Sequence, residues 1–307
     1  MKAVRLYEYG PPKNLKYEQD VADPQLADDD VLIATAAASI NPIDWKMRSG
    51  EAAARFPLTF PAILGRDVSG VVRAIGKDVQ GVAVGDRVMA FSPSSGTYAD
   101  LVVVNAMEIT HIPEGLDILE AAAIPLVALT GDQLVREACA LKAGQSILVT
   151  GALGSVGRCA VHSALTLGAT VIAGVRASQM DEAKALGVHG VLAMDDDAAF
   201  KSMGTVDAIA DTTGERSTTP LLTHVREGGI CGTVVTPPPD VSLHPGIKLV
   251  RQKAHPDPVC VRDFAQAYCD GVLKLPIVRR YGVHDVVEAH TFAEKGGSGG
   301  KILLLAL

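Results

Sequence analysis

The stretch from Gln145 to Val175, QSILVT then GALGSVG then RCAVHSALTLGATVIAGV, constrains this chain more than any other segment. A short apolar run, a glycine-rich turn, an alanine- and leucine-rich run of helical length and a second apolar run follow one another. That order predicts a βαβ unit, because two parallel strands need a crossover long enough to hold a helix. The alternation then continues through a helix on SQMDEAKALG and strands on GVLAMD, VDAIADTTG and GGICGTVV. Apolar runs of this length alternating with helices predict a doubly wound parallel sheet, an α/β fold covered on both faces. The segment TTPLLTHVREGG reads as a helix feeding the last of these strands.

A dinucleotide fingerprint places three glycines where the chain turns, where a pyrophosphate approaches the backbone and where helix meets strand. Here those positions are Ala152, Gly154 and Gly157, with Gly151 just ahead. An alanine can make the first turn only at negative φ, so Gly151 must supply the left-handed freedom. Gly154 then leaves room for a pyrophosphate over the amides of Ser155 and Val156, where a helix N-terminus favours negative charge. The cofactor loop is thus expected over Gly151, Ala152, Leu153, Gly154, Ser155 and Val156. The second strand ends at Val175 without the acid that holds a ribose 2′-hydroxyl, and Arg176 and Ser178 follow. A guanidinium beside a hydroxyl suits a 2′-phosphate, so NADP(H) is expected rather than NAD(H).

The rest of the chain bounds the setting. At 307 residues it is long for one core, and two domains are expected. Before Asp117 the texture is mostly β, with runs such as DDVLIATAAASIN, GVVRAIG, GDRVMAFS and TYADLVVVN between turn residues. From Asp117 helical runs take over, and Pro125 marks a break or a helix start. A net charge of −7 with no basic block argues against a nucleic-acid partner. Five scattered cysteines without a CxxC pair fit reduced thiols in the cytoplasm. The opening MKAVRLYEYG lacks an apolar core, so no signal peptide is expected. No uninterrupted apolar run nears the length of a membrane span, so no membrane partner is expected either.

Several segments together resemble the medium-chain dehydrogenase/reductase superfamily in its zinc-independent quinone oxidoreductase branch. They are SINPIDWKMRSG, FPAILGRDVSGVVRAIG, GDRVMAF, GTYADLVVV, EAAAIPLVALT, the glycine loop and the closing GGSGGKILLL, in the family's order. The resemblance implies a GroES-like, mostly β catalytic domain split around a Rossmann domain. Residues 1–118 and 251–307 would form the first and residues 119–250 the second, with the cofactor in the cleft between them. It also implies a homodimer. The connection TPPPDVSLHPGIKLVRQKAHPDP is shorter than is usual in the family and rich in proline.

Zinc-dependent relatives carry a cysteine in the segment matching NPIDWKM and a histidine–acid pair in that matching GRD. This chain has no cysteine in the first and Arg66 in place of the histidine. A catalytic zinc needs three protein ligands and an open position, so a metal-free enzyme is expected. Without a metal, hydride addition to a quinone or an α,β-unsaturated carbonyl is easier than alcohol oxidation, because the charge spreads onto an oxygen that needs only donors and a proton. The resemblance assigns Asn41, Lys46 and Thr130 to the catalytic side, and Val234 and Lys301 join the cofactor loop on the cofactor side. Asp44 can orient Asn41 and Lys46 or cap a helix; Asp211 and Thr213 would flank the cofactor's far side. A nucleotide-binding sensor or structural protein, and a zinc-free alcohol dehydrogenase, are the competing classes.

Overall fold

In the computed structural model, which describes residues 1–306 without the side chains of Asp197 and Ser202, residues 3–111 form a run of short strands. These are β1 (Ala3–Leu6), β2 (Leu15–Glu18), β3 (Asp30–Ile40), β4 (Ala62–Ile63), β5 (Asp67–Ile75), β6 (Arg87–Phe91), β7 (Leu101–Asn105) and β8 (Ile109–His111). The long strand β3 changes character along its length. Val31 and Ile33 are buried between partly exposed neighbours, whereas Ala37, Ala38, Ser39 and Ile40 are all buried. Alternating burial marks a strand covered on one face, and continuous burial a strand covered on both. Helix α1 (Pro42–Ser49) follows at once. Proline at its first position loses no hydrogen bond, the Asp44 carboxylate accepts the Asn41 N–H at 2.8 Å, and Gly50 ends the helix at φ 90°.

Helices α2 (Ile118–Ala121) and α3 (Pro125–Gln133) come next, and α3 runs into a π-helical turn over Leu134–Ala138. Pro125 therefore opens a helix. The helical stretch Ile118–Ala138 is apolar and, at 21 residues, long enough to cross a membrane, which corrects the expectation of no candidate span. Glu120 and Asp132 break its apolar run in the sequence, which hid it. Its apolar part is 67% buried inside the protein, as in a core helix.

The second sheet uses β9 (Ser146–Thr150), β10 (Thr170–Val175), β11 (Gly190–Ala193), β12 (Val206–Asp211), β13 (Val225–Thr233) and β14 (Lys248–Arg251). Between them lie α4 (Ser155–Thr166), α5 (Met180–Lys184), α6 (Asp197–Ser202) and α7 (Glu215–Thr218). All six strands are parallel, in the order β11-β10-β9-β12-β13-β14. Both faces are buried: Ile147, Val149, Ala208 and Ala210 pack into one core cluster, and Leu148 and Ile209 into another. The sheet is the expected doubly wound one, and its order reverses between β9 and β12, where such sheets bind ligands. The segment from Thr219 forms a 3-10 turn to His224 instead of a continuous helix, and β13 already begins at Val225. Pro220 limits the α-helical bonds that stretch can make.

The chain then returns to the first sheet through α8 (Pro258–Cys269), β15 (Ile277–Gly282), α9 (Val286–Ala293) and β16 (Lys301–Leu305). Strand β16 pairs antiparallel with β3 and parallel with β15 in a seven-stranded sheet, while β2, β1 and β4 form a separate three-stranded one. Its Ile302, Leu303 and Leu304 are buried, each side chain contributing about 1.5 to 3 kcal/mol of transfer free energy. The chain divides into two compact units, Met1–Leu126 with His255–Leu307 and Val127–Ala254. The changes of unit fall at 126/127 and 254/255, where 118/119 and 250/251 were expected.

Candidate active site

The glycine loop follows β9 at the switch point of the parallel sheet. Gly151 takes φ 64°, and Ala152 has no left-handed backbone. The Gly154 N–H donates to the Gly151 carbonyl at 2.8 Å, and the Ala152 N–H to Gly174 of β10 at 3.2 Å. A Cβ on Gly157 would lie 2.1 Å from the Gly151 oxygen, so only glycine lets α4 approach the strand this closely. Arg158, buried in α4, reaches back to donate from Nε to the Leu153 carbonyl at 3.0 Å and ion-pairs with Glu182. Gly154 is the N-cap of α4, and no side chain caps it. The first amides of such a helix have no intrahelical acceptor and carry its positive dipole end. Above Gly154 an added Cβ would meet only the Gly151 oxygen, at 3.2 Å. The loop therefore fits a pyrophosphate. Arg176 and Ser178, just beyond β10, are exposed, and Val234, just beyond β13, is half-buried.

In the other unit, Asn41 lies in a buried polar cluster. Register pairs Ile302 of β16 with Ile40 of β3, which brings Lys301 beside Asn41. The Lys301 ammonium donates to Asn41 Oδ1 at 2.7 Å and lies 3.4 Å from Asp67 Oδ2. Asn41 Nδ2 donates to the same Asp67 oxygen at 2.8 Å, and the Ser39 hydroxyl donates to it at 2.5 Å. The Leu126 N–H donates to Asp67 Oδ1 at 2.8 Å. Asn41, Asp67 and Lys301 are each at most 3% exposed. The asparagine amide is thus held in one orientation, by a cation on its oxygen and a carboxylate on its nitrogen.

A second layer surrounds this cluster. Asp44 accepts the Tyr98 hydroxyl at 3.2 Å as well as the Asn41 N–H, and burial pushes its carboxyl up to about 6. Its bond to the Asn41 N–H caps the start of α1 and at the same time ties the carboxylate to Asn41. His290 packs edge-on against Tyr98, with ring centroids 5.7 Å apart. Burial, aided by the Arg48 charge, pulls its imidazole down to about 3. Arg66 is buried: its Nη1 donates to the Pro93 carbonyl at 3.0 Å, and its guanidinium lies 4.8 Å from the Phe56 ring centroid. Lys46 pairs with Glu51 at 2.9 Å and lies over Trp45. Thr130 is a half-buried residue of α3, in the unit that carries the glycine loop. Among the described residues, no three His, Cys, Asp or Glu side chains gather as a metal ligand set.

Two sets of contacts were not legible in the sequence, although Asn41, Lys301, Asp211 and Thr213 were each singled out there. Lys301 and Asn41 are 260 residues apart, and no local pattern pairs them. The second set is centred on Asp211 at the end of β12, whose carboxylate takes hydroxyl donors from the ends of β9 and β13 and from α7. Asp211 and Thr213 were expected beside the cofactor, but nothing in DTTG showed that Thr150, Thr218 and Thr233 converge on the Asp211 carboxylate.

Residues 27–114 match the alcohol dehydrogenase GroES-like domain. The chain is 37% identical over 172 residues to the human (Homo sapiens) quinone oxidoreductase, covering 56% of this chain and 52% of that protein. It thus spans about half the length of the curated quinone oxidoreductases it matches. It is 34% identical over 261 residues to the mitochondrial NAD(P)H oxidoreductase RTN4IP1 of Bos taurus, covering 77% of this chain and 66% of that one. Among solved structures it superposes on the quinone oxidoreductase from Coxiella burnetii with a TM-score of 0.90 and 29% identity, over 99% of both chains. With the parallel sheet, the glycine loop at its switch point and the β16-completed antiparallel sheet, these similarities lead to one assignment. The chain belongs to the quinone oxidoreductase family of the medium-chain dehydrogenases/reductases.

Proposed function

We propose that the chain is an NADPH-dependent, metal-free oxidoreductase that transfers hydride to a quinone or an α,β-unsaturated carbonyl compound. The observation that carries this reading is the uncapped start of α4 after a glycine loop at the switch point, with Arg176 and Ser178 where an acid would hold an unphosphorylated ribose. When bound, the reduced nicotinamide supplies the hydride. The chain's own part is to bind and orient. The amides of Ser155 and Val156 receive the pyrophosphate, and Arg176 with Ser178 receives the 2′-phosphate. Asn41, held by Lys301 and Asp67, offers a fixed dipole to the reacting groups at no cost of reorganisation. Lys46 and Thr130 complete the acceptor side in this reading, and Val234 lines the cofactor. Arg66, buried where zinc-dependent relatives carry a histidine ligand, and the Lys301 ammonium beside Asn41 favour chemistry without a metal. A cytoplasmic homodimer acting on a small molecule, with no nucleic-acid or membrane partner, belongs to the same proposal.

The test is NADPH oxidation, followed by absorbance, with p-benzoquinone, phenanthrenequinone, hexenal and a cyclic enone. Turnover of at least one acceptor, faster with NADPH than with NADH and insensitive to chelator, is the expected result. Tight NADPH binding without turnover on any acceptor would instead identify a nucleotide-binding sensor. Activity lost to chelator and restored by zinc would overturn the metal-free reading.

A further inference from the structure

Asp211, at the end of β12, is fully buried, and its partners are hydroxyls and backbone amides. Its Oδ1 accepts the Thr213 N–H at 3.1 Å, the Gly214 N–H at 2.9 Å, the Thr218 hydroxyl at 2.6 Å and the Thr150 hydroxyl at 3.2 Å. Its Oδ2 accepts the Thr233 hydroxyl at 2.6 Å. A buried carboxylate is costly unless its lone pairs are filled, and here donors from the ends of β9 and β13, the turn after β12 and α7 fill them.

Two of these partners, Thr150 and Thr233, lead into segments that the cofactor reading uses. Thr150 is the residue before Gly151, and its hydroxyl also accepts the Thr212 N–H at 3.1 Å, while the Thr212 hydroxyl donates to the Thr150 carbonyl at 2.7 Å. Against this pair the left-handed Gly151 has no spare room, since a Cβ there would lie 2.6 Å from the Thr212 oxygen. Thr233 uses its own oxygen to accept the Val235 N–H at 3.1 Å, which sets the course of the chain past Val234. One carboxylate therefore cross-links the ends of β9, β12 and β13.

We propose that Asp211 is a positioning residue for the dinucleotide: it holds the glycine loop and the segments after β12 and β13 in the shape that binds the cofactor. This rests on the cofactor reading above. An alanine in its place takes the acceptor away from the Thr213 and Gly214 N–H groups and from the Thr150 and Thr233 hydroxyls, and the segments that carry them must move to find others. An asparagine keeps the Oδ1 set and loses only the acceptor facing Thr233, so its effect is intermediate.

The test compares the full-length chain with Asp211→Ala, Asp211→Asn and Val171→Ala. The last removes a buried side chain of β10 at the end remote from the loop and serves as a stability control. NADPH affinity is measured by fluorescence titration and loop order by hydrogen exchange of the free protein. Expected for Asp211→Ala is a Kd raised by about tenfold or more, as small misplacements of a binding group produce, with faster exchange at amides 151–156 and 212–214. Val171→Ala lowers the melting temperature but keeps the wild-type Kd and loop exchange. Wild-type affinity in Asp211→Ala, or equal weakening in Val171→Ala, overturns the proposal. If Asp211→Ala does not fold, Asp211→Asn and Thr233→Val must each still raise the Kd, and wild-type values in both overturn it. If the wild type binds no dinucleotide, the cofactor reading fails, and unchanged loop exchange in the variants then separately refutes the role of Asp211.

Discussion

His290 is a buried imidazole held near pKa 3 against an ordinary value of 6.5, and neither ring nitrogen has a hydrogen-bond partner. A base depressed on folding is stable while neutral, so its contribution is complete above pH 6.5 and is lost as the pH falls toward 3. Asp44 works the other way. Its carboxyl, raised to about 6 from 3.8, favours the folded state while protonated, and that contribution fades as the pH rises through about 6. His290→Leu should therefore flatten the acid loss of stability below pH 6.5, and Asp44→Asn should remove the opposite slope between about 4 and 6, both read by urea unfolding across pH. An unaltered acid slope in His290→Leu would contradict the burial of a neutral ring. Arg176 gives a residue-scale test of cofactor choice. Arg176→Ala should weaken NADPH binding by about 1 to 3 kcal/mol, the worth of a charge-assisted contact, while sparing NADH. Equal losses for the two cofactors would remove the 2′-phosphate role.

At the scale of elements, the contact between α4 and the glycine loop depends on one missing side chain. A Cβ on Gly157 would meet backbone atoms at 2.1 and 2.8 Å, and backbone cannot rotate out of the way. Gly157→Ala is expected to destabilise the protein by about 1 to 3 kcal/mol, the range for overpacking, and to weaken dinucleotide binding. Gly204→Ala, where an added Cβ meets nothing within 4 Å, should be neutral in the same urea titration. Similar midpoints for the two variants would show that the helix can move aside. Helix α3 packs against α4 by the same device: a Cβ on Gly131 would lie 2.5 Å from that of Cys159. The loop glycines were legible because each meets a local backbone demand. Gly131 carried no such signal, since its need arises only where two helices cross.

The whole molecule depends on the return of the chain to its first sheet. Strand β16 lies between β3 and β15, and its three buried aliphatics belong to the same clusters as the N-terminal strands. Deleting residues 301–307 should therefore unfold the unit made of Met1–Leu126 and His255–Leu307, while Val127–Ala254 keeps its parallel sheet. The single tryptophan, Trp45, lies in the first unit, so its emission reports on that unit alone, and hydrogen exchange reports on β9 to β13. Native emission from the truncated chain would show that β16 is dispensable.

The amino-acid sequence by itself determined the doubly wound sheet, the glycine loop and its left-handed first residue, and the change of texture that separates the two units. Each follows from periodicity or from backbone freedom over a few adjacent residues. Only the tertiary structure decided that Lys301 and Asp67 clamp Asn41 from its two sides, that Asp211 ties the ends of β9, β12 and β13, and that Lys46 pairs with Glu51. The first two arise from strand register between distant parts of the chain, and the third from rotamers at one helix end. The first two leave no mark in local composition, because a buried polar side chain is specified by the partners that satisfy it rather than by its neighbours in sequence.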